Sequence, residues 1–460
     1  MINRRRFLQS IAAAATPAVT QACVATTAQI SALRSDKQSI MDLPPGFAYR
    51  IVSRAGDMMS DGLTMPGMHD GMAAFTDSDG NIRLVCNHEI RPEWTDANPL
   101  REQFTQLPET VKARFYDRGG DTTPGLGGTT TPVINVHSGK TERQFLSLAG
   151  TELNCAGGPT PWGSWLSCEE CFRYPGTRQQ GETAATRGQR HGYVFEVPAG
   201  ANELVEAVPL TAMGQFEHEA AAVHPPTGIV YMTEDQHHSL FYRFLPAVPD
   251  QLAEGGRLQA LALVGHPTQR THNWMTRADV ALGEPLTTEW IDLNDVEAPW
   301  EDRTRFNGAV DGAATFARGE GLTIADDRFA FTCTYGGHAK LGQVFTYTPS
   351  PFEGTPQETE SPGQLQLIAE AGEDSLLKNA DNLTMAPWGD LVVCEDTKGN
   401  CGIVGIRPDG SQYAIADNTY SDSELAGICF SPDGETMFVN IQYPGMTLAI
   451  TGPWSELHKA

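Results

Sequence analysis

The stretch Gly157-Gly158-Pro159-Thr160-Pro161-Trp162-Gly163-Ser164-Trp165-Leu166-Ser167-Cys168-Glu169-Glu170 contains a turn, a short strand, and then a thiol beside two carboxylates. Gly and Pro at its start are typical of turns. The run from Trp165 to Ser167 has the aromatic and apolar content of a buried strand. Because five other places in the chain share parts of this plan, the sequence indicates a repeated unit.

Each repeat has an apolar strand, a turn of Gly, Pro or Asp, and a second strand that ends in polar, ligand-type residues. The six segments are 70–89, 154–169, 218–235, 320–335, 381–396 and 425–441. Short strands separated by such turns read as hairpins. We therefore predict an all-β fold, a six-bladed β-propeller, with a pair of β-sandwiches as the alternative. Residues 91–130, 172–190 and 250–315 are expected to form long loops and short helices.

The composition limits the partners of the chain. Of its 460 residues, 40% are hydrophobic, which suits a large core, and the formal net charge is -25. A nucleic-acid partner would need a basic face, so we expect none. The acidity either keeps an exported protein in solution or holds multivalent cations. No run after the first residues is apolar enough to span a membrane, so no stable membrane insertion is expected.

The first 35 residues resemble a twin-arginine signal peptide. Arg4-Arg5-Arg6-Phe7-Leu8-Gln9 precedes a weakly apolar, alanine-rich run. An ordinary secretory signal is the alternative. We expect export by the twin-arginine (Tat) machinery to the periplasm or the outside of the cell, with residues 36–460 as a single propeller domain.

The predicted architecture brings the polar strand ends together. In an antiparallel hairpin, the start of the first strand and the end of the second lie at one edge. The expected facing pairs are Glu219 with Glu234, Asp381 with Glu395, Asn154 with Cys168, and Asp70 with His88. Because propeller blades radiate from a central channel, these edges meet at one mouth.

Carboxylates at that mouth would form a ring. Its expected members are Glu89, Glu169, Glu219, Glu234, Glu320 and Glu395. Such a ring needs cations between its members. Oxygen ligands suit calcium, and a thiolate suits a softer transition metal. The alternative is that these acids are solvated strand ends and that the cysteines are core residues.

Four segments resemble the PhoX-type alkaline phosphatase family. They are Asn154-Cys155-Ala156-Gly157-Gly158 running to Trp165-Leu166-Ser167-Cys168-Glu169-Glu170, Phe216-Glu217-His218-Glu219-Ala220, Phe316-Ala317-Arg318-Gly319-Glu320-Gly321, and Thr436-Met437-Phe438-Val439-Asn440-Ile441-Gln442-Tyr443-Pro444-Gly445. The resemblance implies a six-bladed propeller with a mixed centre of Fe3+ and Ca2+, in which a cysteine binds iron.

Carried over by motif, the resemblance implies that Cys168 is the iron ligand and that Glu219 and Glu320 bind metal. Further ligand candidates, by position in the repeat, are Glu89, Glu169, Glu234, Asp235, Glu395 and Asp396. The catalytic residues it implies are Arg318 and Asn154, which would contact phosphoryl oxygens, together with Glu320. Better-known family members have Arg-Pro-Glu where this chain has Arg318-Gly319-Glu320. Arg91-Pro92-Glu93 reproduces that string, so Arg91 is the alternative phosphate-binding arginine.

The implied function is hydrolysis of small-molecule phosphate monoesters by metal-assisted phosphoryl transfer. A serine nucleophile is not required, and the chain has no Gly-x-Ser-x-Gly elbow. One alternative is a calcium-dependent propeller hydrolase acting on lactones or organophosphate triesters. The other is a non-catalytic, calcium-stabilised propeller that binds a partner.

Overall fold

The chain folds almost entirely into antiparallel β-structure. A computed structural model describes residues 33–457 except 92, 93, 95, 177–186 and 276, so the expected leader lies almost wholly outside the described residues. Strands β1 to β9 are Met41–Asp42, Ala48–Arg54, His69–Thr76, Ile82–His88, Gly127–Ile134, Thr141–Thr151, Asn154–Pro159, Ser164–Glu169 and Val194–Pro198. Strands β10 to β18 are His218–Val223, Val230–Glu234, Tyr242–Pro246, Gly256–Leu263, Pro285–Asp292, Gly319–Ala325, Arg328–Cys333, Gln343–Thr348 and Gln364–Glu370. Strands β19 to β25 are Ala380–Met385, Leu391–Glu395, Gly402–Ile406, Gln412–Asn418, Leu425–Phe430, Thr436–Ile441 and Met446–Thr451.

Short helices interrupt the strands in the insertions. They are α1 (Leu100–Phe104), α2 (Glu109–Lys112), α3 (Thr304–Asp311) and α4 (Trp454–Leu457). The first three lie within the segments 91–130 and 250–315, where the composition predicted loops and short helices. No helix among the described residues combines the length and the apolarity that crossing a membrane requires.

The strands form five sheets. The orders are β3-β4-β5-β6, β7-β8-β9, β1-β22-β21-β20-β19, β2-β25-β24-β23, and a nine-stranded sheet β10-β11-β12-β13-β14-β18-β17-β16-β15. Strand β2, from the start of the described chain, pairs with β25 near its end. An early strand therefore completes the last sheet, as in a closed propeller. The all-β propeller prediction is confirmed, whereas the blade count of six stays a prediction because β14 and β18 join two strand meanders into one sheet.

The innermost strands form a closed ring. Strands β3, β7, β10, β15, β19 and β23 contact one another in this cyclic order, and β23 contacts β3 again. The gaps between neighbouring sheets are filled with apolar side chains. In the gap around β10 and β15, for example, Phe241 and Phe331 stack with ring centroids 4.4 Å apart. Each sheet thus packs face to face against the next around one axis.

Each strand of the ring carries one extra residue near its start. Against β11, His218 faces Glu234 and Ala221 faces Met232, so three residues on β10 span two on its partner. The same β-bulge occurs in the other five inner strands. In each bulge, two residues stand opposite one on the partner strand; these pairs are Asp70-Gly71, Cys155-Ala156, Glu219-Ala220, Glu320-Gly321, Asp381-Asn382 and Gly427-Ile428.

These bulges make the predicted facing pairs wrong by one residue. Glu234 faces His218, not Glu219, and Glu395 faces Ala380, not Asp381. Asn154 likewise faces Glu169, not Cys168, and His88 faces His69, not Asp70. In each ladder, the first bulge residue has no partner on the second strand. A β-bulge turns the side chain of such a residue away from its regular direction.

The bulges leave backbone carbonyl groups without partners in their own ladders. Side chains of the preceding strand meander bind these carbonyls. Thr332 Oγ1 on β16 donates to Asp381 O at 2.6 Å, and Asn87 Nδ2 on β4 donates to Cys155 O at 3.0 Å. Asn440 and Thr233 make the equivalent bonds to Asp70 O and Glu320 O. Glycine permits the close approach: a Cβ on Gly71 would lie 2.5 Å from Ala156 Cα. These bonds hold each bulge against its neighbour.

We predict that Thr332→Val lowers the free energy of unfolding by about 1 to 3 kcal/mol, because it leaves a buried carbonyl without its hydroxyl donor. Urea denaturation of the metal-free protein measures this. Thr287→Val, the same change on the exposed face of β14, should shift stability by less than about 0.5 kcal/mol. Equal stability of the two variants would show that these bonds do not hold the ring together.

Candidate metal centre

Buried and half-buried acidic side chains meet at one end of the ring. Among the described residues, four groups of side chains have ligand atoms within 4.8 Å of one another. They are Cys155–Glu170–Glu219, Glu219–Glu320–Asp381, Asp381–Asp396–Glu424 and Asp70–Glu89–Glu424. Successive groups share Glu219, Asp381 and Glu424, so together they form one continuous set of eight carboxylates and one thiol. We call this set the acidic cluster.

Two backbone positions supply most of the acidic cluster. Five members are first bulge residues of inner strands: Asp70, Cys155, Glu219, Glu320 and Asp381. Three members, Glu89, Glu170 and Asp396, directly follow the end of a second strand. Asp235 occupies this second position after β11, and Gln442 does so after β24. The sixth bulge offers Gly427 instead of a ligand, and Glu424 comes from the residue just before that strand.

The cluster strongly disfavours ionisation of its own members. Burial, with smaller effects from neighbouring groups, raises the pKa of Asp70 to about 7. Burial and the charge of Asp70 raise the pKa of Glu89 to about 8. Burial and the charges of neighbouring carboxylates raise the pKa values of five other members well above their usual range: Glu170, Glu219, Glu320, Asp381 and Glu424. Bound cations would remove this penalty, so the donor set fits a metal centre.

Arg318 is the cation at the edge of the cluster. Its Nε donates to Asp235 Oδ1 at 2.6 Å, its Nη2 donates to the other Asp235 oxygen, and Nη2 lies 3.3 Å from Glu320 Oε1. The backbone at Arg318 has a φ of 57°, a left-handed conformation rare outside glycine, just before β15. One third of the side chain is exposed. The guanidinium is therefore oriented and still accessible to a ligand.

Two more polar side chains border the cluster. Gln442 Nε2 donates to Asp70 Oδ2 at 2.9 Å and to Glu89 Oε2 at 2.7 Å, and it also contacts Glu424. The charge of Arg91 lowers the pKa of Glu89, and the buried Arg91 Nε has no hydrogen-bond partner among the described residues. Arg91 thus lies on the opposite side of the cluster from Arg318 in the order of the ring.

The structure brings part of the predicted site together. Glu89, Glu219, Glu320 and Asp396 all belong to the acidic cluster. Asp235 joins its edge through Arg318 and through a contact with Glu170. As ligands, all of these residues remain predictions.

Three other predicted ligands have structural partners outside the cluster. Glu169 Oε1 accepts from His191 Nδ1 at 2.7 Å, and Glu234 Oε2 accepts from the Tyr242 hydroxyl at 2.7 Å. Glu395 accepts from the backbone N–H groups of Lys378 and Gly402. Each is the last residue of its strand, and side chains alternate along a strand, so the next residue faces the cluster instead. Sequence alone identified the acidic pair at each strand end but not which member faces inward.

The predicted iron ligand differs from the thiol at the cluster. Both Cys155 and Cys168 belong to one buried apolar cluster, and burial raises the pKa of each thiol above the usual range. Only Cys155, the first bulge residue of β7, also lies beside Glu170 and Glu219. Predicted Asn154 is bonded within its own hairpin, where its Nδ2 donates to Ser167 Oγ at 2.9 Å. The small residues that follow Cys155 were the available signal of an irregular strand.

Comparison with known proteins places this geometry in a family. The family model described as "Alkaline phosphatase PhoX" matches residues 28–445. The chain belongs to this family. It is therefore a phosphatase, and the resemblance drawn from the four sequence segments is confirmed. No curated protein matches the chain.

Solved structures share the fold. Pseudomonas fluorescens PhoX in complex with vanadate, a transition state analogue, aligns with a TM-score of 0.63 and 17% identity over 90% of this chain and 96% of that one. A putative gluconolactonase aligns at a TM-score of 0.36 with 9% identity over 90% of this chain and 94% of that one. A gluconolactonase from Xanthomonas campestris aligns at 0.35 with 12% identity over 88% and 95%. The first match supports the propeller, and the other two are too distant to support any conclusion.

We predict that the two cysteines behave differently when each is replaced by alanine. Cys155→Ala should lower the metal content and the phosphatase turnover by at least about tenfold, which is what the loss of even an outer-shell partner of a metal ligand costs. Cys168→Ala should keep both and lose only core packing. Elemental analysis of purified protein beside turnover measures this. Metal loss confined to Cys168→Ala would contradict the geometry and restore the original assignment.

We predict that the metal-free protein loses stability as pH rises. In the unfolded chain, the pKa is 3.8 for Asp and 4.5 for Glu. In the folded chain, the pKa is about 7 for Asp70 and about 8 for Glu89. Between those limits the folded state holds more protons than the unfolded state, so the free energy of unfolding falls with rising pH. Thermal melts of chelator-treated protein from pH 5 to pH 8.5 test this.

The variant pair Asp70→Asn and Glu89→Gln provides the control for that melt series. Neutral amides do not ionise, so the slope of melting temperature against pH should flatten in the double variant. A slope that stays unchanged would show that other groups govern the pH dependence.

Proposed function

We propose that this phosphatase hydrolyses phosphate monoesters at a mixed iron–calcium centre held by the acidic cluster. The observation that carries the proposal is the juxtaposition of eight buried or half-buried carboxylates and a thiol with an oriented, accessible arginine. The closed ring of six inner strands supports a six-bladed propeller, with the nine-stranded sheet counted as two joined blades.

The donor types divide the cluster between two kinds of metal. Cys155 offers the soft ligand that suits iron, and Glu170 and Glu219 complete its group. The groups Asp70–Glu89–Glu424 and Asp381–Asp396–Glu424 offer oxygen only, which suits calcium. When bound, these cations would neutralise charge on the phosphoryl oxygens during transfer.

The chain's own groups would bind and orient the ester. Arg318, fixed by Asp235 and Glu320, presents a planar guanidinium that can hold two phosphoryl oxygens. Thr334, whose backbone N–H donates to Arg318 O at 3.0 Å, has a buried hydroxyl with no partner among the described residues. It would supply a further hydrogen bond. Arg91 would act from the other side of the cluster.

Export supports the same function. The arginine triplet at Arg4-Arg5-Arg6 and the alanine-rich run after it support twin-arginine export, which carries folded proteins across the membrane. An enzyme whose cluster needs several cations would then fold and load metal before export. We propose a periplasmic or extracellular location on this basis.

We predict p-nitrophenyl phosphate hydrolysis by the full chain, recovered from the periplasmic fraction and dependent on calcium. Arg318→Gln should lower kcat/KM by roughly 100- to 1,000-fold, the cost of losing one preorganised donor to the transition state. Arg91→Gln tests the second arginine. Arg257→Gln, at an exposed pair with Asp292, is the matched control and should retain activity.

A triester and a lactone, assayed beside the monoester, separate the alternatives. Turnover of either one without monoester turnover would overturn the proposed substrate class. Calcium-dependent melting with no turnover of any substrate would favour the binding propeller. Activity confined to the cytoplasmic fraction would contradict export.

A further inference from the structure

A cluster of aromatic rings lies on the rim of the channel mouth, outside the acidic cluster. We call it the aromatic wall, and its members are His237, His272, Trp274 and Tyr335. The rings of His237 and Tyr335 are 5.1 Å apart, and those of His272 and Trp274 are 4.2 Å apart. Trp274 also contacts the rings of His237 and Tyr335. The wall is thus continuous.

The aromatic wall directly adjoins Arg318. The backbone N–H of Arg318 donates to Gln236 O at 2.9 Å, and its carbonyl accepts from Thr334 N at 3.0 Å. His237 and Tyr335 are the next residues in the chain after these two. The residues that carry these two contacting rings therefore lie one position beyond the backbone contacts of the arginine proposed to hold phosphate.

Core packing does not account for these rings. Neither Trp274 nor Tyr335 belongs to a buried apolar cluster of the described residues. His237 is exposed, Trp274 and Tyr335 are half-buried, and the buried His272 supports Trp274 from behind. An aromatic surface with this exposure, beside a catalytic mouth, is available to stack on a ligand.

Hydrogen bonds of a neighbouring buried residue hold the loop that carries Trp274 in place. The buried side chain of Asn273 accepts from the backbone N–H groups of Asp279 and Val280 and donates to Glu370 Oε2 at 2.7 Å. The indole Nε1 of Trp274 donates to Tyr335 O at 2.7 Å. Because the wall is already ordered, stacking a ligand on it costs little conformational entropy.

The wall also carries positive charge on a protein whose net charge is -25. Lys340 Nζ lies 5.5 Å from the centre of the Trp274 ring and 5.2 Å from that of Tyr335. A ligand for this place therefore combines a planar ring system with negative charge. The phosphoryl group would lie on Arg318, and the ring would lie on the wall.

We propose that the aromatic wall binds the base of a nucleoside 5′-monophosphate and makes such esters preferred substrates. This inference rests on the proposed function, since the phosphoryl group must reach Arg318. In the reaction the ester P–O bond breaks, a water oxygen forms the new P–O bond, and a water proton passes to the departing 5′-oxygen. The products are the nucleoside and inorganic phosphate.

The test compares adenosine 5′-monophosphate with ribose 5-phosphate, which share the same reacting ester and differ in the base. The wild type should show at least about tenfold higher kcat/KM for the nucleotide, since stacking of a base on an aromatic side chain is worth roughly 5- to 150-fold. His237→Ala and Tyr335→Leu should remove most of this preference by raising KM for the nucleotide. Their ribose 5-phosphate kinetics should change less than about twofold.

The controls keep each outcome interpretable. His137→Ala, at an exposed histidine in a turn remote from the mouth, should leave both substrates unaffected. Tyr335→Phe should preserve the preference because it keeps the ring. His237 is exposed, so its alanine variant should fold even if a change at Tyr335 does not.

Three results would overturn the inference. Equal kcat/KM of the wild type for the two substrates would do so, and so would losses in the variants that are the same for both. In both of these cases, turnover of ribose 5-phosphate would leave the proposed phosphatase function standing. Absence of turnover with both substrates would overturn the two proposals together.

Discussion

The bulge in each inner strand is the constraint on which the rest of this structure depends. One extra residue turns a side chain out of the ladder and toward the axis, and in five strands that residue is an acid or a cysteine. The bulge also releases peptide groups from the ladder, which would be costly if they stayed unbonded. Side chains such as Asn87 and Thr332 bind these groups from the preceding sheet. The same irregularity therefore supplies the ligands and joins the sheets.

This arrangement links the stability of the folded state to cation binding. The backbone places carboxylates together whether or not they repel, and burial makes their ionisation unfavourable, as the raised pKa values of Glu219 and Asp381 show. In the absence of cations, the carboxylates either stay protonated or, when they ionise, lower the stability of the folded state. Cations that bind the folded cluster, but not the unfolded chain, return this free energy. Under the proposed function, stability and activity would depend on the same set of side chains.

The sequence specified the repeat but not its register. Recurrent turns and polar strand ends predicted the propeller, the convergence of the strand edges, and the presence of Glu219 and Glu320 at the mouth. Small residues such as those after Cys155 signal an irregular strand, but they do not show where the extra residue lies, because one added residue looks like a longer strand. With a side-chain period of two, an error of one residue moves a prediction to the opposite face. This explains why Glu169 was predicted where Glu170 lies, and it is the reason that Cys155 was missed.

The site has two parts, which differ in how the fold positions their residues: the acidic cluster forms its floor, and the aromatic wall forms its rim. The floor is built from the repeated bulge positions, so its chemistry is tied to the sheet and tolerates little change. The rim combines His237 and Tyr335, which follow second strands of the repeat, with His272 and Trp274 from the insertion 250–315. The loop around Trp274 has no counterpart in the repeat, and local bonds such as those of Asn273 fix it. A substitution on the rim can therefore alter which ester is accepted without moving a ligand below. Arg318 stands at the boundary, since Asp235 and Glu320 hold it from the floor while Gln236 and Thr334 tie its backbone to the rim. In the proposed function, this residue would position the reacting phosphoryl group relative to the leaving group.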